Sequence, residues 1–355
     1  MREPPSDSVV TLVVGASAAI IVTSLLLLLL MIIIRFIQSV REEQRRSFIK
    51  TWSPIMALSI EETITDLPIL LKFNYINFLS QWNIFADSVR GPSRKGLIRL
   101  AKQVGMERVA AEFLSKRSEY ERTIGAMSLG NMEDKSQWDK LQELAENNIG
   151  LSGQVAARSL ARIDPVASAP VLVPIFVRRK DWSSARVALI LKDMEPNAVS
   201  IHLAAAIFTA TSEDLPRLLR FLPYIERGIA LQVLSDILSR NTEPEVLTAC
   251  LAGIKALGDY QSISLVKQYI NHEAWSVRVQ AVNALGMLAS KDDLPLLVER
   301  LSDQNWWVRY RSAQAICNAP FVTPGQLQEF RDKHPDRYAR DILAQVLAEK
   351  QMVVD

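Results

Sequence analysis

The chain has 355 residues, 49% of them hydrophobic, with 41 Lys and Arg against 39 Asp and Glu for a formal net charge of +2. That balance excludes the broad basic footprint of a nucleic-acid-binding protein, and so high an apolar fraction excludes a disordered chain. The two cysteines, Cys250 and Cys317, are too few for a disulfide framework or a thiolate metal site and are expected as small buried hydrophobes.

Residues 1–8 form a short leader with Arg2, Glu3 and Asp7. From Val9 to Ile34 there is no charge, and only Thr11, Ser17, Thr23 and Ser24 interrupt the apolar run. These 26 residues would make a helix about 39 Å long, and a hydrocarbon core of about 30 Å needs about 20. The run is too long for the apolar part of a signal peptide, and it passes straight from Ile34 into Arg35 without a small-residue cleavage pattern. A single transmembrane helix is expected over 9–34. Within it, Gly15 and Ala19 stand four apart, a spacing used in helix–helix packing.

The next stretch, 35–51, holds Arg35, Arg41, Arg45, Arg46 and Lys50 against Glu42 and Glu43. It is expected as a basic juxtamembrane linker. The positive-inside rule puts it in the cytoplasm. The leader is then non-cytoplasmic, and the rest of the chain lies on the cytoplasmic side of the inner (cytoplasmic) membrane.

From Trp52 onward the periodicity is helical, with turn signals such as Gly91-Pro92, Gly105, Asp164-Pro165, Glu195-Pro196, Glu243-Pro244 and Gly258-Asp259. Residues 52–116 contain an aromatic-rich helix (Phe73, Tyr75, Phe78, Trp82, Phe85), a turn at Val89–Pro92 and a second helix over Lys95–Val104. This part is expected to cap an array of repeats.

The repeats are expected over 117–355. Val277-Arg278-Val279-Gln280-Ala281-Val282-Asn283-Ala284-Leu285-Gly286 returns 31 residues later as Val308-Arg309-Tyr310-Arg311-Ser312-Ala313-Gln314-Ala315-Ile316. Looser echoes lie upstream at Ser128-Leu129-Gly130, Ala156-Ala157, Ala185–Leu189 and Ala256-Leu257-Gly258. The small Ala positions let neighbouring helices approach closely, and Leu and Val fill the shared core. No single hairpin can bury its own apolar face, so the units stack.

The pattern Val-Arg-x-x-Ala-x-x-Ala-Leu-Gly, followed by a second helix such as Asp292–Leu301, resembles the HEAT-like repeat of the phycobilisome-lyase type, most closely over 272–318. The resemblance implies an all-α, HEAT/armadillo-like α-solenoid of roughly eight hairpins behind the transmembrane helix. It also implies a charge ladder between repeats, with Asp181 and Arg186, Glu273 and Arg278, and Asp303 and Arg309 as its pairs. The whole chain resembles membrane-anchored bacterial HEAT-repeat proteins, some of them associated with envelope polysaccharide synthesis beside a membrane glycosyltransferase.

Nothing in the chain has the form of a catalytic constellation. His202, His272 and His334 each stand alone, no Gly-rich phosphate loop or Gly-x-Ser-x-Gly elbow occurs, and the acidic pairs Glu61-Glu62, Glu133-Asp134 and Asp292-Asp293 suit helix N-termini. No catalytic, cofactor or metal residue is therefore assigned, and no cofactor is expected. What remains is a binding surface. Trp182, Trp275, Trp306 and Trp307 fall at repeat junctions, with Arg186, Arg278, Arg309 and Arg311 close by. Trp and Arg dominate binding hot spots, and stacked repeats would line these junctions along one edge. The competing expectation is that each Trp folds back over its own hairpin core. Of the adjacent pair Trp306-Trp307, at least one is expected to be exposed. Arg217, Arg220, Glu299 and Arg300, on second helices, offer another surface.

The expected function is a membrane-tethered adaptor for a cytoplasmic protein or a membrane enzyme, such as a glycosyltransferase of an envelope polysaccharide system. The alternatives are a structural subunit gripped mainly through its transmembrane helix, and a bilin-lyase-like enzyme, against which the anchor argues.

Overall fold

A computed structural model of the chain describes residues 7–352, with the side chains of 22–40 and 42–350. Residues 1–6 of the expected leader and the side chains of Gly15–Ala19 lie outside this description. Among the described residues there are nineteen α-helices, short 3₁₀ turns and no strand. The chain divides into two compact units between Met132 and Glu133.

The first unit is built on one long helix, α1 (Asp7–Leu58), of 52 residues and about 78 Å. Of the helices described, only this one is long and apolar enough to cross a membrane, and its side chains from Leu25 to Ile34 are all exposed. It does not stop at Arg35. The stretch expected as a linker, 35–51, continues the same helix. Glu42 pairs with Arg45 at 3.3 Å and with Arg46 at 3.5 Å, the i,i+3 and i,i+4 spacings that support a helix. Phe48, Trp52 and Met56 then form an i, i+4, i+8 stripe that is fully buried.

That stripe packs on α2 (Tyr75–Ser88), which is followed by α3 (Arg94–Gln103), α4 (Met106–Phe113) and α5 (Glu119–Met132). Trp52 stands edge-on to Phe78 at 5.1 Å. The buried Trp82 donates its indole N–H to the Leu97 carbonyl at 2.9 Å. A Cβ at Gly96 would stand 1.9 Å from the Ser59 carbonyl oxygen, so only glycine lets α3 cross the end of α1 there. A buried polar chain ties α2, α3 and α5. Asn83 donates to Ser128 Oγ and accepts from Asn131, both at 3.0 Å, and Arg94 donates to Asn131 Oδ1 at 2.9 Å.

The second unit begins with α6 (Trp138–Asn147), α7 (Leu151–Ile163), α8 (Ala169–Arg178), α9 (Ser184–Leu191), α10 (Pro196–Thr209), α11 (Leu215–Leu218) and α12 (Arg227–Arg240). It becomes regular from α13 (Pro244–Leu257) onward. The first helices α13, α15 (Trp275–Leu288), α17 (Trp306–Asn318) and α19 (Arg337–Met352) pack each against the next. The short second helices α14 (Ile263–Lys267), α16 (Leu294–Arg300) and α18 (Pro324–Lys333) lie between them in sequence. Close packing of α15 on α17 requires a glycine: a Cβ at Gly286 would stand 2.4 Å from the Ala315 Cβ.

One device repeats with the fold. Arg278, Arg309 and Arg340 each bend back and donate Nη1 to the carbonyls six and five residues earlier. The acceptors are His272 and Glu273 at 2.8 Å, Asp303 and Gln304 at 2.8 and 3.1 Å, and His334 and Pro335 at 2.6 and 3.2 Å. These carbonyls end the preceding turn, and the guanidinium satisfies two of them at once. Arg122 does the same in the first unit, for Lys116 and Arg117. The position of Arg340 makes α19 a third copy of the Val-Arg pattern, with Ala339 in place of Val.

Candidate partner-binding surface

The first turns of the regular helices carry the surface. At the head of α17, Asn305 caps the helix by accepting the Trp307 N–H at 2.9 Å. Trp306 and Trp307 therefore occupy the first two helical positions, and Val308 is the first residue to turn fully inward. Both tryptophans face solvent, 40% and 49% exposed. Trp306 stacks on Tyr310 one helical turn later, 5.0 Å between centroids at 10°. Trp307 sits edge-on to Trp306 at 4.7 Å. The Tyr310 hydroxyl donates to Glu349 of α19 at 2.8 Å, and that hydrogen bond pushes the phenol pKa up. The Arg311 guanidinium lies 5.9 Å from the Tyr310 ring.

Neighbouring repeats extend the cluster. Trp275 occupies in α15 the place of Trp306 and is 48% exposed, and Tyr338 occupies in α19 the place of Trp307 and is 66% exposed. The Arg309 guanidinium stands 5.4 Å over the Tyr338 ring. Three consecutive first helices thus open on exposed aromatics along one edge of the second unit. Soluble surfaces seldom expose a contiguous aromatic patch without a partner. Covering the exposed part of each ring is worth about 2.5 kcal/mol, at about 25 cal/mol per Å² over about 100 Å².

Trp182 does not join this edge. It is 2% exposed and tilts against Phe176 at 6.1 Å, with the Arg179 guanidinium 4.9 Å over its face. The reason is its place in the turn. Trp182 precedes the N-cap Ser183 of α9, so it points back over the hairpin core, whereas Trp275, Trp306 and Trp307 lie inside their helices. Arg186 is also elsewhere, donating to Gln154 at 2.5 Å.

The charge ladder is wired differently from the expected pairs. Asp181 is held by Arg179, two bonds at 2.8 Å, and not by Arg186. Arg278 meets Glu273 only at its backbone carbonyl, and its ion pair is with Asp303 of the following turn, Nε to Oδ2 and Nη2 to Oδ1, both 2.8 Å. Arg309 likewise meets Asp303 only at the carbonyl. Burial pushes the Asp303 carboxyl up, but the bonds from Arg278 and the Asn305 N–H outweigh it and hold the pKa below the ordinary value. One repeat on, His334 stands where Asp303 would be and accepts the Asp336 N–H at 3.2 Å. Arg309 has no carboxylate to grip there and faces Tyr338 instead.

Two clefts also lie on this unit. A polar one of about 300 Å³ is lined by His272, Glu273, Arg278, Glu299, Arg300 and Asp303, where Arg278 pairs with Asp303 and Arg300 with Glu299 and Asp303. An apolar one of about 400 Å³ lies between Pro216, Leu219, Pro223 and the small face of α13 at Ala249, Ala252 and Gly253, with Arg220 at its margin. Arg217, expected at the surface, donates to the Phe176 and Val177 carbonyls at 2.9 and 2.7 Å and serves the core. Cys250 and Cys317 are both buried, and burial pushes the Cys250 thiol up to about 12.

Residues 231–317 match the family described as HEAT repeats. The matched stretch runs from α12 through α17 and contains Arg278, Arg309 and the Trp306–Trp307 pair. No curated protein matches the chain.

Proposed function

We propose that the protein is a membrane-tethered scaffold that holds a protein partner against the aromatic edge of its repeats. HEAT repeats point to protein–protein interaction, typically without catalysis. The observation that carries the reading is recurrence: Trp275, then Trp306 with Trp307, then Tyr338, are presented at equivalent places on successive repeats. Arg309 and Arg311 flank the rings, and the nearby Glu349 keeps the charge mixed. Mixed charge around aromatics suits a protein partner better than a polyanion.

In this reading α1 anchors the chain in the inner membrane, and its basic stretch sets the two units in the cytoplasm. Tethering raises the effective concentration of the partner, so a modest interface suffices. The resemblance to membrane-anchored bacterial HEAT-repeat proteins makes a membrane enzyme, and first a glycosyltransferase of envelope polysaccharide synthesis, the partner to look for.

The test is photo-crosslinking in cells from a reactive residue at position 307 of the full-length protein, with and without Trp306→Ala. A discrete membrane-protein adduct that Trp306→Ala reduces supports the proposal. Adducts confined to the chain itself sink it. Replacing 9–34 with an unrelated transmembrane helix separates the structural-subunit alternative: a scaffold keeps its adduct, and a subunit gripped through its anchor loses it.

A further inference from the structure

The aromatic edge of the second unit has a spacing and a hydrogen-bonding character that narrow what can bind it. Trp275 and Trp306 open their helices 31 residues apart, and Trp307 and Tyr338 repeat the interval one place on. α15, α17 and α19 run side by side in one direction. At their heads, Arg278 holds Asp303 and the Arg309 guanidinium covers the Tyr338 ring. Toward their other ends, Gly286 meets Ala315, and Lys350 donates to the Cys317 carbonyl at 2.7 Å. Contact at both ends keeps neighbouring axes about 8–10 Å apart along their length. Equivalent rings therefore recur along the edge at about 9 Å.

That interval sorts the backbones that could lie across it. A β-strand shows the same face every second residue, about 6.6 Å, and falls out of step after one repeat. A polyproline II segment has three residues per turn and advances about 9.3 Å per turn, so every third residue meets a ring. An α-helix also comes close, with side chains at i and i+7 about 10.5 Å apart.

Hydrogen bonding separates the last two. Among the described residues no acceptor meets the indole N–H of Trp275, Trp306 or Trp307, in contrast to the buried Trp82, which donates to Leu97. The acceptors that contact the Trp306–Trp307–Tyr310 cluster are engaged. Glu349 receives Tyr310 and Gln345, Gln314 receives Arg311, and Asn305 receives the Trp307 N–H. The cluster thus offers donors to whatever covers it. A helix has its carbonyls bonded internally. A polyproline II backbone leaves every carbonyl free, and its prolines bring no N–H in need of an acceptor. Arg309 and Arg311 add two guanidinium groups with no carboxylate partner among the described residues, their bonds going to backbone carbonyls and to Gln314. They suit an acidic side chain beside the prolines.

We infer that the partner docks through an extended, proline-rich stretch in the polyproline II conformation. Prolines three residues apart seat on Trp275, on the Trp306–Trp307 pair and on Tyr338, the carbonyls between them accept the indole N–H bonds, and an acidic residue meets Arg309 or Arg311. The inference rests on the scaffold reading of this edge and adds the conformation and chemistry of what it holds. Such a ligand is ordered before it binds and loses little entropy on an aromatic surface.

The experiment places a photo-crosslinking residue at position 304 of the full-length protein, which is exposed and adjoins the rings without being one of them. Adducts formed in cells are mapped by mass spectrometry to the captured segment. That segment is then made as a synthetic peptide and titrated against full-length protein in detergent micelles. The expected segment carries prolines at every third residue. Its affinity should fall at least about 10-fold with Trp306→Ala and Trp307→Ala together, and by a similar factor when its prolines are moved one position at unchanged composition. The second comparison uses the wild-type protein and so does not depend on the variant's fold. Capture through a helical or proline-free segment, or through a glycan, overturns the inference and leaves the scaffold standing. Equal binding of the shifted-proline peptide does the same. Adducts confined to the chain itself overturn the scaffold and the inference together.

Discussion

Arg278 and Asp303 are joined by two parallel N–H···O bonds at 2.8 Å, so the first helix of one repeat is bolted to the turn that opens the next. The same Arg278 closes its own preceding turn through the His272 and Glu273 carbonyls. One guanidinium therefore sets the local cap and the register between repeats.

Removing the acid should be expensive. Asp303 has 4% and Arg278 14% of the side chain exposed, and breaking a buried pair leaves an uncompensated charge, at about 3–5 kcal/mol. Asp303→Ala is expected to lose about 3 kcal/mol in denaturant unfolding, with Arg278→Ala similar. Because the Asp303 pKa is lowered in the fold, its contribution is fully present above the unfolded-state pKa and is lost as pH falls through the folded value. The wild type should lose stability below about pH 4, and Asp303→Asn should lack that part of the acid limb. An unchanged acid limb in Asp303→Asn would contradict the assignment.

Gly286→Ala sets two effects against each other. Alanine gains about 1 kcal/mol of helix propensity, but its Cβ would stand 2.4 Å from the Ala315 Cβ, and forced overpacking costs about 1–3 kcal/mol. The clash should win, lowering the melting temperature. Adding Ala315→Gly to the variant should recover part of the loss, and the double-mutant cycle measures how much.

The tryptophans should separate by burial. Trp182→Ala empties a core site and is expected to cost about 3–5 kcal/mol. Trp306→Ala with Trp307→Ala removes half-exposed rings that stack on each other and on Tyr310, and should change stability by about 1 kcal/mol or less. The same pair should weaken partner binding at least about 30-fold, the equivalent of about 2 kcal/mol. Unfolding curves and a binding titration on the same preparations make the comparison.

Phe48 tests the continuity of α1. A chain starting at residue 42 keeps the Phe48–Trp52 stack, 6.0 Å between centroids, and a chain starting at 51 loses it. The shorter one should unfold more readily, by about 2–4 kcal/mol. Equal stability would mean that the stripe on α1 contributes nothing to the first unit.

Much of the helical architecture is written locally. The apolar run over 9–34, the Val-Arg-x-x-Ala pattern at 31-residue spacing and the scarcity of turns within each period can be read one residue at a time, because helix periodicity and membrane length depend only on neighbours along the chain. The third copy at Arg340 has a fainter sequence signature, since Arg337 and Ala339 replace the Trp and Val of its predecessors and only the arginine survives.

What the tertiary structure alone decided is direction and partnership. Four tryptophans at three repeat junctions look alike in sequence, yet Trp182 is buried and the other three are exposed. A shift of two positions relative to the helix start reverses where the side chain points. Glu273 and Asp303 are both near an arginine in sequence, but only Asp303 takes a guanidinium with its carboxylate, because stacking brings the turn of one repeat beside the helix of the one before. The basic stretch after Ile34 has the composition of a linker. It is helix because Phe48, Trp52 and Met56 find a core to enter, and a core is assembled from residues distant along the chain.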